Sequence, residues 1–287
     1  MNIVIVDKKE SALSVKNDLL TIDTRKIPLH LIDTLLLVGT QNLRSGDLVR
    51  LSAGGVQVVL LSADFSKSAL LISTSAKNAE LKLAQYRACT TKALPIAKML
   101  LTRKVTLHAE QLLKHQITIE TESIRKQIHE ATTLDMLLGI EGSFSRSYFG
   151  HYFALFPKNL HKGKRSKRPP RDPLNALLSW YYTLFYNLIA VRLIGFGFEP
   201  SLGFLHRPFR SHMALASDLL ELCRADINEF VYDIFAQKLV TARDFSKKGG
   251  VYLRYEGRKK LWQPFRTFAA SLEPHIDASI TEIRRLL

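Results

Sequence analysis

The sequence predicts an α+β protein in which a small N-terminal β domain is followed by a larger, mostly α-helical domain. Up to about residue 74, β-branched and apolar residues form short runs between turn-forming residues, a pattern typical of strands. From about residue 75 onward, apolar residues recur with the 3.6-residue period of helices. The chain has 287 residues and 46% hydrophobic content, which is enough to bury two cores. We therefore predict domains at residues 1–74 and 75–287.

Short strands account for most of the predicted N-terminal domain. We place them at residues 3–6, 12–16, 19–23, 34–38, 56–62 and 69–73. Between the fourth and fifth strands, residues 43–53 carry apolar side chains at helical spacing, and Gly54 and Gly55 follow as a stop signal. One short helix is therefore expected among the strands.

The second domain is predicted to contain successive helices. They cover residues 78–93, a segment beginning at Pro95, and residues 123–140, 174–191, 214–223 and 226–239, with further helices to Leu287. Glu141 is expected at the end of the 123–140 helix or just beyond it. A turn at residues 247–250 and a small hairpin at 251–255 interrupt this helical pattern.

The 174–191 segment is apolar and long enough to cross a bilayer. Its polar residues argue against a membrane span, because they recur at every fourth position and form one stripe along a helix. These residues are Asn175, Ser179, Thr183 and Asn187. We expect a buried helix of a soluble protein, whose polar stripe satisfies hydrogen bonds in the core or faces a polar cavity.

The charge of the chain points to a polyanionic partner. Lys and Arg number 41 against 26 Asp and Glu, so the formal net charge is +15. Nucleic acid binding is favoured over the alternative of a merely basic or ribosome-associated protein. Cys89 and Cys223 lack any ligand spacing, and the N-terminus shows no secretion signal. We therefore expect a cytoplasmic protein with two buried free thiols.

A strongly basic segment at residues 158–171 is predicted to be a mobile loop that contacts DNA. It interrupts the domain between two long helices, which disfavours a simple localisation or solubility signal. Two further arginines near His206 are candidate phosphate contacts, with surface charge or pairing to acids such as Asp218 as the alternative. The candidate DNA-binding residues are Lys162, Lys164, Arg165, Lys167, Arg168, Arg171, Arg207 and Arg210.

Four other residues carry possible metal chemistry, although each has an ordinary structural alternative. Asp218 and Glu221 stand three apart on one predicted helix face, where like charges repel unless a cation or solvent separates them. The alternative is a solvated helix face. His206 ends an apolar approach and Glu141 follows an apolar helix end, so a core histidine and a surface acid are the alternatives there.

Four blocks of sequence, taken in order and spacing, make the pattern specific. They read LGIEG at 138–142 with Tyr148 and Phe149 following, RPPRDPLNALLS at 168–179, GFLH at 203–206 and LASDLLE at 215–221. Together they resemble the CRISPR-associated adaptation integrase, often called the Cas one family. The resemblance spans essentially the whole chain, because RKIPL at 25–29 before Ile32, Asp33 and Thr34 is similar to the β domain of that family.

The resemblance implies a metal-dependent endonuclease and integrase of CRISPR adaptation. It makes Glu141, His206 and Glu221 the metal ligands, with Asp218 as a supporting acid or an alternate ligand. Carboxylate and imidazole donors suit Mg²⁺ or Mn²⁺. The implied reaction joins the 3′-hydroxyl ends of captured DNA into the CRISPR array by transesterification. The implied partners are double-stranded and branched DNA, a second copy bound through the β domain, and a second Cas adaptation protein, with no membrane.

Three other functional interpretations of the same residues stay open. A stand-alone nuclease of branched DNA would use water in place of the 3′-hydroxyl at the same ligands. A transposon integrase is less favoured, because such enzymes generally carry an added C-terminal DNA-binding domain. In a non-catalytic basic DNA-binding scaffold, Glu141, His206 and Glu221 would be structural.

Overall fold

The computed structural model describes residues 1–72, 78–210 and 212–287, and it has the predicted α+β architecture. The N-terminal part forms two sheets, and the rest of the described chain is mostly helical. The expected boundary between residues 74 and 75, and the end of the strand expected at 69–73, lie outside the described residues. The strands of the two sheets are β1 (Ile3–Val6), β2 (Leu13–Lys16), β3 (Leu19–Ile22), β4 (Arg25–Pro28), β5 (Thr34–Val38), β6 (Gln57–Leu61) and β7 (Ser68–Leu71).

The larger sheet has the order β1-β5-β6-β7 and is parallel except for the edge strand β7. Its central strand β5 is buried along its whole length, as expected for a strand covered on both faces. Leu35 and Leu37 pack toward the smaller sheet and helix α1 (Ser45–Ala53), whereas Leu36 and Val38 join the core of the helical part. The larger sheet therefore contributes one face to each of the two hydrophobic cores.

The smaller sheet is the antiparallel array β2-β3-β4. Asn17 and Asp18, between β2 and β3, have φ values of 49° and 55°, the left-handed conformation that a tight hairpin turn requires. Strand β4 was not predicted from the sequence. Its sequence, RKIP, contains two charged residues and a proline, which are depleted in strands, and only Ile27 is buried.

The helical part contains seven helices and one hairpin within the described ranges. Most predicted segments are confirmed in kind, with bounds that differ by a few residues, but the hairpin expected at 251–255 lies at 245–253 because its first strand precedes the turn. The elements are α2 (Ala79–Thr91), α3 (Ala93–Leu113), α4 (Glu122–Glu130), α5 (Leu134–Ala154), α6 (Pro173–Gly195), α7 (Ala214–Ala236), β8 (Phe245–Lys247), β9 (Val251–Leu253) and α8 (Tyr255–Leu286).

Two predicted helix boundaries are wrong. The helix expected at residues 123–140 is two helices, because α5 starts afresh after Thr133, whose side chain accepts a hydrogen bond from the Met136 amide at 3.2 Å. Glu141 consequently lies inside α5, not at a helix end. The separate helices expected at 214–223 and 226–239 form the single helix α7.

Helix α6 is the centre of the helical part, as its apolar composition predicts. Asp172 caps it by accepting a hydrogen bond from the Asn175 amide at 2.8 Å, and Pro173 occupies the first turn. Among the described residues, α6 is the one helix long and apolar enough to cross a membrane, yet 72% of its most apolar window is buried inside the protein. It is a core helix, packed most extensively against α7.

A buried polar network around Asn228 fixes the helices to one another. Tyr182 of α6 donates to Asn228 Oδ1 at 2.5 Å, and Tyr152 of α5 donates to the Asn228 carbonyl at 2.7 Å. Asn228 Nδ2 donates to the Tyr148 hydroxyl at 2.8 Å, which donates in turn to Gln111 of α3 at 2.8 Å. Because these bonds lie away from water, they specify how α3, α5, α6 and α7 meet.

Asp7, directly after β1, joins the sheet to the last helix. Its carboxylate accepts hydrogen bonds from Arg258 Nε at 2.9 Å, Arg258 Nη2 at 3.0 Å and Trp262 Nε1 at 3.0 Å. The Asp7 and Arg258 side chains are 7% and 12% exposed, so this bidentate pair is largely shielded from solvent.

We predict that Asp7→Ala lowers the free energy of unfolding by about 3 kcal/mol, because it leaves the Arg258 guanidinium buried without its anion. Denaturant unfolding followed by circular dichroism measures this loss. Lys8→Ala is the control, since the Lys8 side chain is 66% exposed and its removal should change little. Equal losses in the two variants would contradict the role given to Asp7.

Candidate active site

A buried lysine ammonium lies between two of the predicted metal-binding carboxylates. Helices α3, α5 and α7 bring Lys104, Glu141 and Glu221 together. Lys104 Nζ forms an ion pair with Glu141 Oε1 and lies 2.7 Å from Glu221 Oε2. It also donates to Ser145 Oγ at 2.9 Å, and Ser145 donates to Glu141 Oε1 at 2.7 Å. The Lys104 side chain is only 1% exposed.

Asp218 and Glu221 face the interior, so the alternative of a solvated helix face is wrong. Helix α7 contacts α3, α6 and α8, and nearly all of its first half is buried. The Asp218 side chain is 0% exposed and that of Glu221 is 4% exposed. Buried carboxylates are found where charge or hydrogen bonds compensate them, and each of these two has such partners.

Nearby cations keep Glu221 ionised. Arg224 Nη1 lies 2.8 Å from Glu221 Oε1, and its guanidinium stacks over the Tyr182 ring at 4.8 Å. Burial raises the pKa of Glu221, but the charges of Arg224, Lys104 and His206 outweigh it and hold the pKa well below its usual range. Burial also raises the pKa of Glu141, but the opposing effects, chiefly the charge of Lys104, outweigh it and lower the pKa. Both residues are therefore carboxylates at neutral pH.

Asp218 holds His206 and the backbone before it. Its Oδ2 accepts from the amides of Phe204 and Leu205 at 2.6 and 3.1 Å. Its Oδ1 accepts from the His206 amide at 2.9 Å and lies 2.7 Å from His206 Nδ1. The approach is so close that a Cβ at Gly203 would lie 2.8 Å from Asp218 Oδ2. Asp218 is therefore placed to orient the imidazole.

The Asp218 contact also sets the state of the imidazole. Burial lowers the pKa of His206, whereas the hydrogen bond and charge of Asp218, together with the charge of Glu221, raise it above its usual value. With Nδ1 carrying the proton toward Asp218, the neutral ring presents Nε2 as its lone-pair donor. The side chain is 26% exposed, so this nitrogen is reachable from outside.

The donor set fits a divalent cation, although no three His, Cys, Asp or Glu side chains of the described residues already stand as a preformed metal site. Two carboxylates and one imidazole nitrogen suit Mg²⁺ or Mn²⁺. The Lys104 ammonium already occupies a cation position between Glu141 and Glu221. Glu221 Oε2, moreover, has no well-oriented hydrogen bond despite its burial and its ion pair.

Lys104 and Arg224 were missed when the sequence was interpreted. Lys104 follows Leu100 and Leu101 on the apolar side of α3, where a charged residue requires a buried partner. That position was a usable signal for a buried ion pair. Which acids would meet it depends on how α3, α5 and α7 pack, and no local pattern reveals that.

Hydrogen bonds anchor the basic loop to the helical part, and Arg165 points inward. Its Nη1 and Nη2 donate to Asn175 Oδ1 at 2.9 Å and Ser179 Oγ at 3.0 Å, and the guanidinium lies over Tyr182. Burial lowers the pKa of Arg165 to about 10. The polar stripe of α6 thus holds this loop in place, and the Val251 amide ties the other end by donating to the Pro170 carbonyl at 2.8 Å.

The other predicted DNA contacts of the loop point outward. The exposed ones are Lys162, Lys164, Lys167, Arg168 and Arg171. Arg207 pairs with Asp135 at 2.8 Å, with both side chains more than 60% exposed, and Arg210 lies over the Phe209 ring. Arg165 is thus the one candidate whose guanidinium is engaged in the interior.

A cavity of about 1180 Å³ opens beside the loop. Its walls come from the β6–β7 turn, the basic loop, α6 and the β8–β9 hairpin. Both cations and aromatic rings line it, a combination that suits phosphates and bases. The cationic and aromatic lining residues are Lys167, Arg168, Lys248, Arg258, Phe65, Trp180 and Tyr252. Sequence interpretation missed Phe65, Lys248 and Arg258, because they lie far apart along the chain.

Comparisons with known proteins agree with this architecture. Residues 4–267 match the family model described as CRISPR associated protein Cas1. A protein of Thermodesulfovibrio yellowstonii named CRISPR-associated endonuclease Cas1 1 is 31% identical over 284 residues, covering 91% of this chain and 89% of that protein.

Two solved structures share the fold at lower identity. A Cas1 protein from Thermotoga maritima superposes with a TM-score of 0.92 at 18% identity, covering 99% of this chain and 96% of that one. A casposase bound to integration product superposes with a TM-score of 0.81 at 21% identity, covering 93% of this chain and 82% of that one. Since the family model covers most of the sequence, the chain belongs to the Cas1 family of CRISPR-associated proteins.

Proposed function

We propose that this protein is a metal-dependent DNA integrase that joins the 3′-hydroxyl ends of captured DNA fragments into a CRISPR array. One observation carries the proposal: Glu141 and Glu221 converge on a single buried cation, and His206, which Asp218 holds in place, is near enough for its charge to help lower the pKa of Glu221. Such a set of donors is what a metal-assisted phosphodiester exchange requires.

Glu141, Glu221 and His206 Nε2 would hold Mg²⁺ or Mn²⁺. When bound, the metal would offset charge at the target phosphate and lower the pKa of the attacking hydroxyl. Asp218 fixes the tautomer and orientation of the His206 imidazole, so this ligand is already positioned before metal and DNA bind. Arg224 remains at Glu221, held by that carboxylate and by the Tyr182 ring.

The reaction conserves phosphodiester bonds. The 3′-oxygen of the fragment forms a bond to phosphorus in the array as the existing bond to the adjacent 3′-oxygen breaks, and the proton of the attacking hydroxyl passes to the departing oxygen through solvent. One ester is exchanged for another, so no nucleotide cofactor is needed. The chain accordingly has no GxxxxGK[ST] phosphate-binding loop.

DNA would reach this site along the outward-facing cations. Lys167 and Arg168 line the basic cavity. Partial burial and the charges of Arg224 and Arg165 lower the pKa of Lys167, and the charges of Glu221 and Glu141 oppose this shift. Lys162, Lys164 and Arg171 extend the same surface along the loop, and Arg207 and Arg210 adjoin His206 in sequence. Contacts of this kind bind backbone phosphates and position the duplex without reading its sequence.

The assembly is also part of the proposal. The family resemblance implies a homodimer formed through the β domain and a complex with a second Cas protein. The casposase neighbour is a protein bound to integration product, which supports integration as the reaction.

Cleavage of branched DNA is the second candidate function, favoured by the name endonuclease of the relative from Thermodesulfovibrio yellowstonii. Water would replace the 3′-hydroxyl at the same residues. Incubation with supercoiled array DNA and a labelled fragment separates the two: joined product supports integration, whereas cleavage alone with no joined product contradicts it.

We expect Glu141→Ala and His206→Ala each to lower Mn²⁺-dependent strand transfer at least about 100-fold, because each removes a metal ligand. Joined product is quantified on supercoiled array DNA. Glu110→Ala and His151→Ala serve as matched controls, since both side chains are exposed on the same helices that frame the site. Full activity in the Glu141 or His206 variant would disprove the assignment.

Asp218→Asn is expected to weaken Mn²⁺ binding by about 10- to 100-fold, as substitutions that loosen a ligand's supporting hydrogen bond do. The amide preserves the size of the side chain but no longer offers two anionic oxygens to three backbone amides and an imidazole. Titration calorimetry measures the affinity, and circular dichroism verifies the fold. An affinity equal to that of the wild type would contradict the positioning role.

A double variant, Lys167→Gln with Arg168→Gln, should make the slope of log affinity for DNA against log salt less negative by about 1.8. Each lost phosphate contact accounts for about 0.9 of this change. Fluorescence anisotropy with a DNA duplex at several salt concentrations measures the slope. Arg284→Gln with Arg285→Gln, at the exposed end of α8, is the control for net charge. Equal slope changes in both double variants would show that only total charge matters.

A further inference from the structure

Lys104 is the one fully buried lysine among the described residues. A lysine is almost never fully buried without a partner, and this one has three, which are Glu141, Glu221 and Ser145. Its ammonium occupies the space between the two carboxylates that the proposed function assigns to the metal. This coincidence of position requires an explanation.

The charges of the four side chains that meet at Glu141 and Glu221 balance one another. Glu141 and Glu221 contribute two negative charges, and Lys104 and Arg224 contribute two positive charges at ion-pair distance. A divalent ion bound to the same oxygens would place two further positive charges next to a buried ammonium. Such an arrangement is strongly unfavourable in an interior of low polarity.

The two cations of the site differ in how easily they move. Arg224 is held from two sides, by Glu221 and by the Tyr182 ring that stacks against its guanidinium. Lys104 carries a compact charge on four rotatable methylene groups, and only polar contacts hold its end. Of the two, Lys104 is the cation that a metal can displace.

We infer that Lys104 is a built-in counter-ion that occupies the cation position between Glu141 and Glu221 and is exchanged for the divalent ion when metal binds. The inference rests on the proposed function for the location of the metal. Lys104 keeps the two carboxylates together in the metal-free protein, and it lowers the apparent affinity for metal because the ion must compete with it.

The exchange predicts opposite effects for neutral and charged replacements. Lys104→Met keeps an unbranched side chain without the charge, so Mn²⁺ should bind at least tenfold more tightly than to the wild type, which is a gain of about 1.4 kcal/mol in binding free energy. Lys104→Arg keeps the charge in a larger group and should bind Mn²⁺ more weakly.

Titration calorimetry with Mn²⁺ on the full chain measures these affinities without relying on activity. Melting temperature adds a second readout, because the Met variant should melt below the wild type without metal and gain more from added Mn²⁺. Lys114→Gln, at the exposed end of the same helix, controls for loss of a positive charge. If the Met variant folds only with Mn²⁺, recovery of its helical signal on metal addition also supports the exchange.

Affinity in Lys104→Met equal to or weaker than that of the wild type would overturn the inference, because it would mean that Lys104 supports the carboxylates in the loaded protein as well. Failure of Mn²⁺ to restore an unfolded Met variant would overturn it too. If the wild type bound neither Mn²⁺ nor Mg²⁺, the proposed function would fail together with the exchange. A wild type that binds metal, with a Met variant that gains nothing, would refute the exchange alone.

Discussion

The structure of the site depends on the ion pairs of one buried ammonium. Glu141 and Glu221 come from α5 and α7, and both are carboxylates in an interior where isolated charge is costly. Lys104 of α3 compensates them and thereby links three helices at the point where the chemistry is proposed. A group that pairs with both acids also marks where a stronger cation can bind.

The rest of the fold keeps that cluster in register. Asn228 ties α5, α6 and α7 through buried hydrogen bonds, and Asp7 fastens the shared sheet to α8. Arg165 anchors the basic loop to the polar stripe of α6, which leaves neighbouring cations facing outward. Rigid support on one side and free positive charge on the other suit a protein that must hold DNA beside a fixed reaction centre.

Local patterns in the sequence predicted the architecture and most of the elements. Strands rich in apolar residues were found, whereas β4 was missed because Arg25, Lys26 and Pro28 are three of its four residues. Resemblance of the four sequence blocks singled out Glu141, His206 and Glu221 as candidate ligands. Helix periodicity left open whether Asp218 faces the interior or the solvent. Lys104 and the inward turn of Arg165 depend on contacts between distant segments, which single-sequence periodicity does not encode.

The central claim is that Glu141, Glu221 and His206 together hold the metal that drives strand transfer. Anomalous diffraction from crystals grown with Mn²⁺ tests it most directly, because the scattering of the ion reports its position independently of any activity. One strong peak is expected, bounded by both carboxylates and His206 Nε2, with the Lys104 ammonium withdrawn from between them. A peak elsewhere, or an ammonium still bridging Glu141 and Glu221 at saturating Mn²⁺, would contradict it.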